Sequence, residues 1–374
     1  MLKSMLSKIS LTILSIFMGL NFYVYTNSYG IIKMNKKYSE ENVIYESTIA
    51  KISLSGTLTL PITDDKCPAV ILIAGYGAND RDVTGMGHKY FKVLAEYLTE
   101  QGIAVLRYDK RGVGQSTGNW AAVTSKELAG DVFAGIAYLK TRTEVDHSSI
   151  GLVGLSEGGL IASIVGAEST DVAWVVLMAP FVALGVDNLV YQAGLQLKAD
   201  SASVEFVEND AAMRTTVYTI AQQESNTQVA AQKIRETIVD YLAHLPEAQK
   251  LEAEKLPWAF TESRIDMYVP LLTSISYRFY LTYNPEAVLE SLQVPVLALA
   301  GGNDLTTSPS KIFPILKQAF EKSGHRDYRI IELPNLNHCF QTCKTGALAE
   351  YATIKETMAP VALKIISDWI LSRV

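Results

Sequence analysis

Short, mainly apolar runs recur at 69–74, 103–106, 150–155, 172–178 and 294–300, a further strand is expected at 328–333, and helix-spaced segments separate most of them. A run with no polar face must be covered on both sides, which is the condition of a strand inside a parallel sheet. Strands alternating with helices at this pitch predict an α/β protein with a mostly parallel, doubly wound sheet. One predicted helix, 89–101, places Phe91, Leu94, Ala95 and Leu98 on one side and stops at Gly102. Another, 125–141, lines up Leu128, Val132, Phe133, Ile136 and Leu139. Further helices are expected at 157–166, at 309–322 and at the end of the chain to about Ile370. Ahead of the first buried run, 47–60 alternates as a half-buried strand pair, with Ser55 and Gly56 as its turn.

The rhythm breaks between 181 and 285, where Ala, Gln, Glu and Leu dominate and apolar residues keep helical spacing, as in 230–245. This stretch reads as a helical insertion over the sheet, the alternative being a separate helical domain. The first thirty residues form another unit: Lys3 and Lys8, an apolar run from Ile9 to Val24, then small and polar residues to Gly30. That is the order of a secretory signal with cleavage near Ser28, or of an uncleaved anchor that would hold the chain at a membrane. The expected organisation is a leader at 1–30, core at 31–180, helical insertion at 181–285, and core again at 286–374. The mature protein is expected outside the cytoplasm, periplasmic or secreted.

With 48% hydrophobic and 19% charged residues the 374-residue chain has material for a large core. A net charge of -6 without a long basic run argues against nucleic acid as a partner. No Walker pattern, dinucleotide fingerprint or metal motif occurs, so no cofactor and no metal is expected. Cys339 and Cys343 stand four apart, close enough for a local bridge in an oxidising compartment or equally for two semi-buried thiols; Cys67 stands alone.

The run at 150–155 leads into Gly154-Leu155-Ser156-Glu157-Gly158, a G-x-S-x-G sequence at a strand-to-helix turn. A serine presented on so sharp a turn needs small neighbours, because side chains two positions away would strike the adjacent strand and helix. Its hydroxyl is a poor nucleophile unless a base, oriented in turn by a carboxylate, lies within hydrogen-bond reach. In a parallel sheet such groups gather beyond the carboxyl ends of the strands. Asp304 follows the run ending at Ala300, and His338 follows the run ending at Leu333. The order Ser, Asp, His suits this arrangement. His88, His147, His244 and His325 lie elsewhere and read as surface or satisfied core residues, and Asp187 is the alternative acid. Two backbone N–H groups would receive a developing oxyanion, those of Glu157 and of Tyr76 after the first buried run. The Glu157 carboxylate either reads a substrate amine or, the preferred reading, pairs with Lys110 or Arg111 as scaffold.

Several segments together resemble the α/β-hydrolase superfamily, and within it the exported bacterial hydrolases of the serine aminopeptidase-like or prolyl-oligopeptidase-like group. They are Gly56-Thr57-Leu58-Thr59-Leu60-Pro61, the stretch from Arg107 through Asp109, Arg111 and Gly114 to Gly118, Gly154-Leu155-Ser156-Glu157-Gly158-Gly159, Pro295-Val296-Leu297-Ala298-Leu299, and Leu336-Asn337-His338-Cys339-Phe340-Gln341. The resemblance implies Ser156, Asp304 and His338 as a catalytic triad and a helical cap between core strands six and seven. Many relatives carry His-Gly where this chain has Ala74-Gly75. The expected activity is a serine hydrolase working through an acyl-enzyme, foremost a carboxylesterase on small to medium acyl esters. A peptidase or thioesterase is the alternative, and a non-catalytic binding protein on the same fold the rival of another class. The expected partner is a small ester or a short peptide; oligomeric state is not legible.

Overall fold

A computed structural model describes residues 38–374 and the backbone of a two-stranded ribbon, Val24–Asn27 with Gly30–Lys33. The leader assigned to 1–30 otherwise lies outside the described residues.

Eight strands form one sheet: β1 (Tyr38–Ser47), β2 (Ile52–Pro61), β3 (Cys67–Ile73), β4 (Ala104–Tyr108), β5 (Val145–Leu155), β6 (Trp174–Met178), β7 (Val296–Gly301) and β8 (Tyr328–Leu333), in the spatial order β8-β7-β6-β5-β3-β4-β2-β1. From β8 to β4 every neighbouring pair is parallel, and only β2 runs antiparallel to its two neighbours, β1 and β4. The apolar runs of β3 to β7 are buried on both faces because successive side chains point to opposite sides, while the edge strand β8 is only partly covered. Ala69, Ile71 and Ile73 of β3 join a core with Leu128, Val132 and Ile136 of α2 (Ser125–Leu139) and Leu160 and Ile164 of α3 (Glu157–Glu168). Val70 and Leu72 join a second core with Phe91, Leu94 and Leu98 of α1 (Tyr90–Glu100) and Ile366 and Ile370 of a C-terminal helix, Pro360–Leu371.

The turn expected at Ser55 and Gly56 is not there. Gly56 sits inside β2 opposite Val43 and Tyr108, and the reversal between β1 and β2 falls at 48–51. A Cβ at Gly56 would meet the Arg107 carbonyl oxygen at 2.7 Å, so this glycine serves close strand pairing. The polar segment before residue 47 is the edge strand β1, whose exposed positions carry Ser39, Asn42 and Glu46, which blunt an unpaired edge, and one apolar residue, Ile44. His147 lies at the start of β5.

Between β6 and β7 the chain forms α4 (Val186–Ala199), α5 (Val204–Gln223), α6 (Thr227–His244), α7 (Glu247–Ala253), α8 (Ile265–Leu272) and α9 (Ile275–Thr282). The next helix, α10 (Glu286–Ser291), packs on α3 and on α11 (Pro309–Ser323), back against the sheet.

The charged run after β4 is spent on scaffold. Arg107 binds Asp82 and Glu40, and Arg111 reaches both Asp131 carboxylate oxygens, at 2.8 and 2.6 Å. Burial pushes the Asp131 carboxyl upward and the Arg111 guanidinium opposes it. Removing one member of a buried pair strands the other charge. Arg111→Ala is therefore expected to cost about 3–5 kcal/mol in urea unfolding, well above the loss from an exposed pair.

Candidate active site

Parallel strands end at one edge, so the segments that follow β3, β5, β7 and β8 meet there. Ser156 directly follows β5 with φ 58° and ψ -119°, a conformation few L-residues adopt, and its exit into α3 is tight. A Cβ at Gly154 would lie 2.1 Å from the Gly158 carbonyl oxygen, and one at Gly158 would lie 2.0 Å from that of Ile73. Those two glycines let strand, turn and helix close on each other. They leave Ser156 at the apex, in a cavity of about 270 Å³ walled by Phe181, Leu189, Tyr218, Tyr277 and Tyr280 and bordered by Tyr76.

Asp304 and His338 are joined. Asp304 Oδ2 lies 2.8 Å from His338 Nδ1 and accepts from Thr307 Oγ1 at 2.8 Å, while Oδ1 accepts the Thr306 and Thr307 N–H groups, both at 2.8 Å. Burial would raise this carboxyl, but the imidazole and the Thr307 donors hold it below its ordinary value. Since the folded value is the lower one, the stabilisation is complete above the unfolded pKa of about 3.9 and is lost as pH falls through the folded value. The loop presenting His338 is set by Asn337, whose side chain accepts from the Cys339 and Gln341 N–H groups and donates to Gln341.

His338 faces a second cavity, about 350 Å³ in volume, which shares Gln192, Gln196, Trp258 and Thr306 with the cavity of Ser156. The hydroxyl and the imidazole thus look into adjoining spaces with a common wall. Among the described residues no hydrogen bond joins them; such contacts often close only around a substrate.

The Tyr76 and Glu157 N–H groups have no hydrogen-bond partner among the described residues. Tyr76 follows Gly75, where a Cβ would lie 3.2 Å from the Ser156 Cβ. The Gly75 carbonyl accepts from Lys110 Nζ at 2.6 Å and Asn79 Nδ2 at 2.9 Å. In a planar trans peptide, holding the oxygen also fixes the direction of the opposite N–H, here that of Tyr76. Lysine and asparagine so support the turn. The Glu157 carboxylate is buried and accepts from Lys110 Nζ at 3.0 Å, Ser125 Oγ at 2.9 Å and the Tyr280 hydroxyl at 2.6 Å. Both oxygens are engaged by scaffold groups and the side chain is shut away from solvent; Arg111 takes no part.

Lys110→Met should leave Glu157 without its cation and free the Gly75 peptide. The expected result is a loss of about a hundredfold in kcat with KM little changed, as for removal of an oxyanion donor. Unchanged kcat would mean that the turn does not depend on this lysine.

The other candidates are apart. Asp187 is exposed in the first turn of α4 and makes no bond to the imidazole. His88 meets Thr357 and the Tyr351 carbonyl, while His147, His244 and His325 each meet a backbone carbonyl. Cys67, Cys339 and Cys343 are free thiols, and burial pushes that of Cys339 up to about 12. Thr307, Asn79, Ser125 and Tyr280 escaped the sequence reading. Only Thr307 had a signal, a hydroxyl residue three positions after a strand-end aspartate, where such a side chain folds back on the carboxylate.

The family model for serine aminopeptidase, S33, matches residues 83–262, which include Ser156 but neither Asp304 nor His338. Esterase EstD of Thermotoga maritima is 33% identical over 143 residues, 38% of this chain and 34% of that protein; the match thus spans about a third of that relative's length. Thiohydrolase aneE of Aspergillus aculeatus is 25% identical over 274 residues, 72% of this chain and 78% of that one. Among solved structures, the Pyrococcus furiosus esterase Pf2001 superposes with a TM-score of 0.52 at 16% identity, over 90% of each chain. That likeness is one of fold.

Proposed function

We propose that this chain, a member of the α/β-hydrolase superfamily, is a serine hydrolase that works through an acyl-enzyme, and that its substrates are carboxylic esters with small to medium acyl groups. The observation that carries the reading is the pairing of His338 with the buried Asp304 beside the cavity into which Ser156 projects from a strained turn. Ser156 Oγ attacks the ester carbonyl carbon as its proton passes to His338 Nε2. The carbonyl oxygen, now negative, is received by the Tyr76 and Glu157 N–H groups. When the tetrahedral adduct collapses, the bond to the leaving oxygen breaks and His338 returns the proton to it. Water then repeats the sequence on the acyl-enzyme, and the acid departs. Asp304 accepts from Nδ1–H throughout, keeping Nε2 free to take a proton.

The preference for esters over peptides rests on Glu157. A peptidase reading a free amino terminus needs an available carboxylate near the nucleophile, and Glu157 is buried and already held by Lys110, Ser125 and Tyr280. The likeness to a thiohydrolase keeps thioesters within reach of the same chemistry. Turnover of p-nitrophenyl acetate, butyrate and octanoate should exceed that of aminoacyl p-nitroanilides. Faster anilide cleavage would reverse the assignment.

A further inference from the structure

The proton return just described decides which cavity holds which part of the substrate. His338 must reach the leaving oxygen, so the leaving group lies in the cavity that His338 lines, and the acyl group in the one beside Ser156 and Tyr76. The acyl side is walled largely by aromatic rings, but the leaving-group side holds a group with no structural task. Asp200 caps the C-terminal end of α4 and lines that cavity together with Met86, Tyr90, Trp258, Tyr351 and His338. Its Oδ2 is buried with no hydrogen-bond partner, and no ion pair involves Asp200 among the described residues.

Three costs coincide at this carboxylate. One of its two oxygens loses hydration without receiving a donor, which for a buried acceptor costs on the order of 1–3 kcal/mol. It stands at the negative end of a helix dipole, where an anion is disfavoured. No lysine or arginine lines the cavity to balance it. Burial accordingly pushes its carboxyl above the ordinary value. An unrewarded acid of this kind, facing the same space as a candidate catalytic imidazole, has the character of a ligand group awaiting its partner. Tyr90, Trp258 and Tyr351 place aromatic rings in the same wall, and a cation is attracted to the face of such a ring.

We propose that Asp200 is a specificity residue of the leaving-group cavity, where the carboxylate and the neighbouring aromatic rings take esters whose alcohol part carries a positive charge. The inference rests on the serine-hydrolase reading for its assignment of the two cavities. A pair of shape-matched substrates isolates the charge: butyrylcholine and 3,3-dimethylbutyl butyrate differ in a quaternary nitrogen against a carbon. The wild-type chain should favour the cation in kcat/KM by about tenfold or more, the worth of one part-desolvated attraction between opposite charges, and Asp200→Asn should bring the ratio close to one while Asp200→Glu keeps part of it.

Calorimetric titration of the Ser156→Ala chain with choline and with 3,3-dimethylbutanol reads the same contact without catalysis. Choline should bind more tightly, and Asp200→Asn on that background should remove the difference. Cleavage of the neutral ester at equal or higher efficiency than the cation would overturn the role of Asp200 and leave the hydrolase standing. Asp200-dependent choline binding by a chain that cleaves neither ester would do the reverse.

Discussion

Ser156→Ala is expected to lower kcat by about a millionfold, to the level at which only binding and the two backbone donors remain. No neighbouring group can substitute: Cys339 is the nearest thiol in sequence to His338, but its pKa, pushed up to about 12, leaves it protonated at neutral pH. The structural side of the change is small. Ser156 Oγ makes no hydrogen bond among the described residues, so alanine removes no internal contact, and the methyl group stays in the same strained turn. Unfolding by urea should therefore be nearly unchanged while ester turnover disappears. A variant that retains even a hundredth of wild-type kcat would place the nucleophile elsewhere.

Asp304→Asn is expected to reduce kcat by about ten thousandfold, with KM within a few fold of wild type. The geometry gives the reason. Oδ1 takes two amide N–H groups at 2.8 Å, so an asparagine would keep its oxygen there and turn its NH₂ toward His338. A donor facing Nδ1 forces the imidazole proton onto Nε2, the atom that must accept from Ser156. The ring would sit in the right place in the wrong tautomer. His338→Ala should go further and remove nearly all turnover, because no second histidine lines either cavity. Undiminished turnover in Asp304→Asn would pass the acid role to Asp187, which is exposed on α4.

Much of the frame was legible because burial on both faces writes itself into a strand. Val70 and Leu72 serve one core, Ile71 and Ile73 the other, and none of the four can be polar. The candidate site was legible for a related reason: a parallel sheet sends its reactive groups to strand ends, and the places of Ser156, Asp304 and His338 can be counted from the apolar runs. What stayed hidden depends on partners far apart in sequence. The strand β1 has a polar, outward alternation that looks like a loop until its partner β2 is known, and Gly56 looks like a turn until Arg107 is seen against it. Lys110 reaching Gly75, and Tyr280 and Ser125 closing on Glu157, join residues separated by 35, 123 and 32 positions, and no local pattern announces them. Asp200 is hidden for the opposite reason. Its meaning lies in a missing partner, and only the packing of α4 over the sheet reveals that.

The central claim is that Ser156, and no other group, attacks the substrate carbonyl. Treatment of the wild-type chain with a fluorophosphonate, followed by mass mapping of the modified peptide, tests it directly. The account predicts one adduct, on Ser156, formed far more slowly in His338→Ala; an adduct on a different residue, or none on a folded chain, would contradict it.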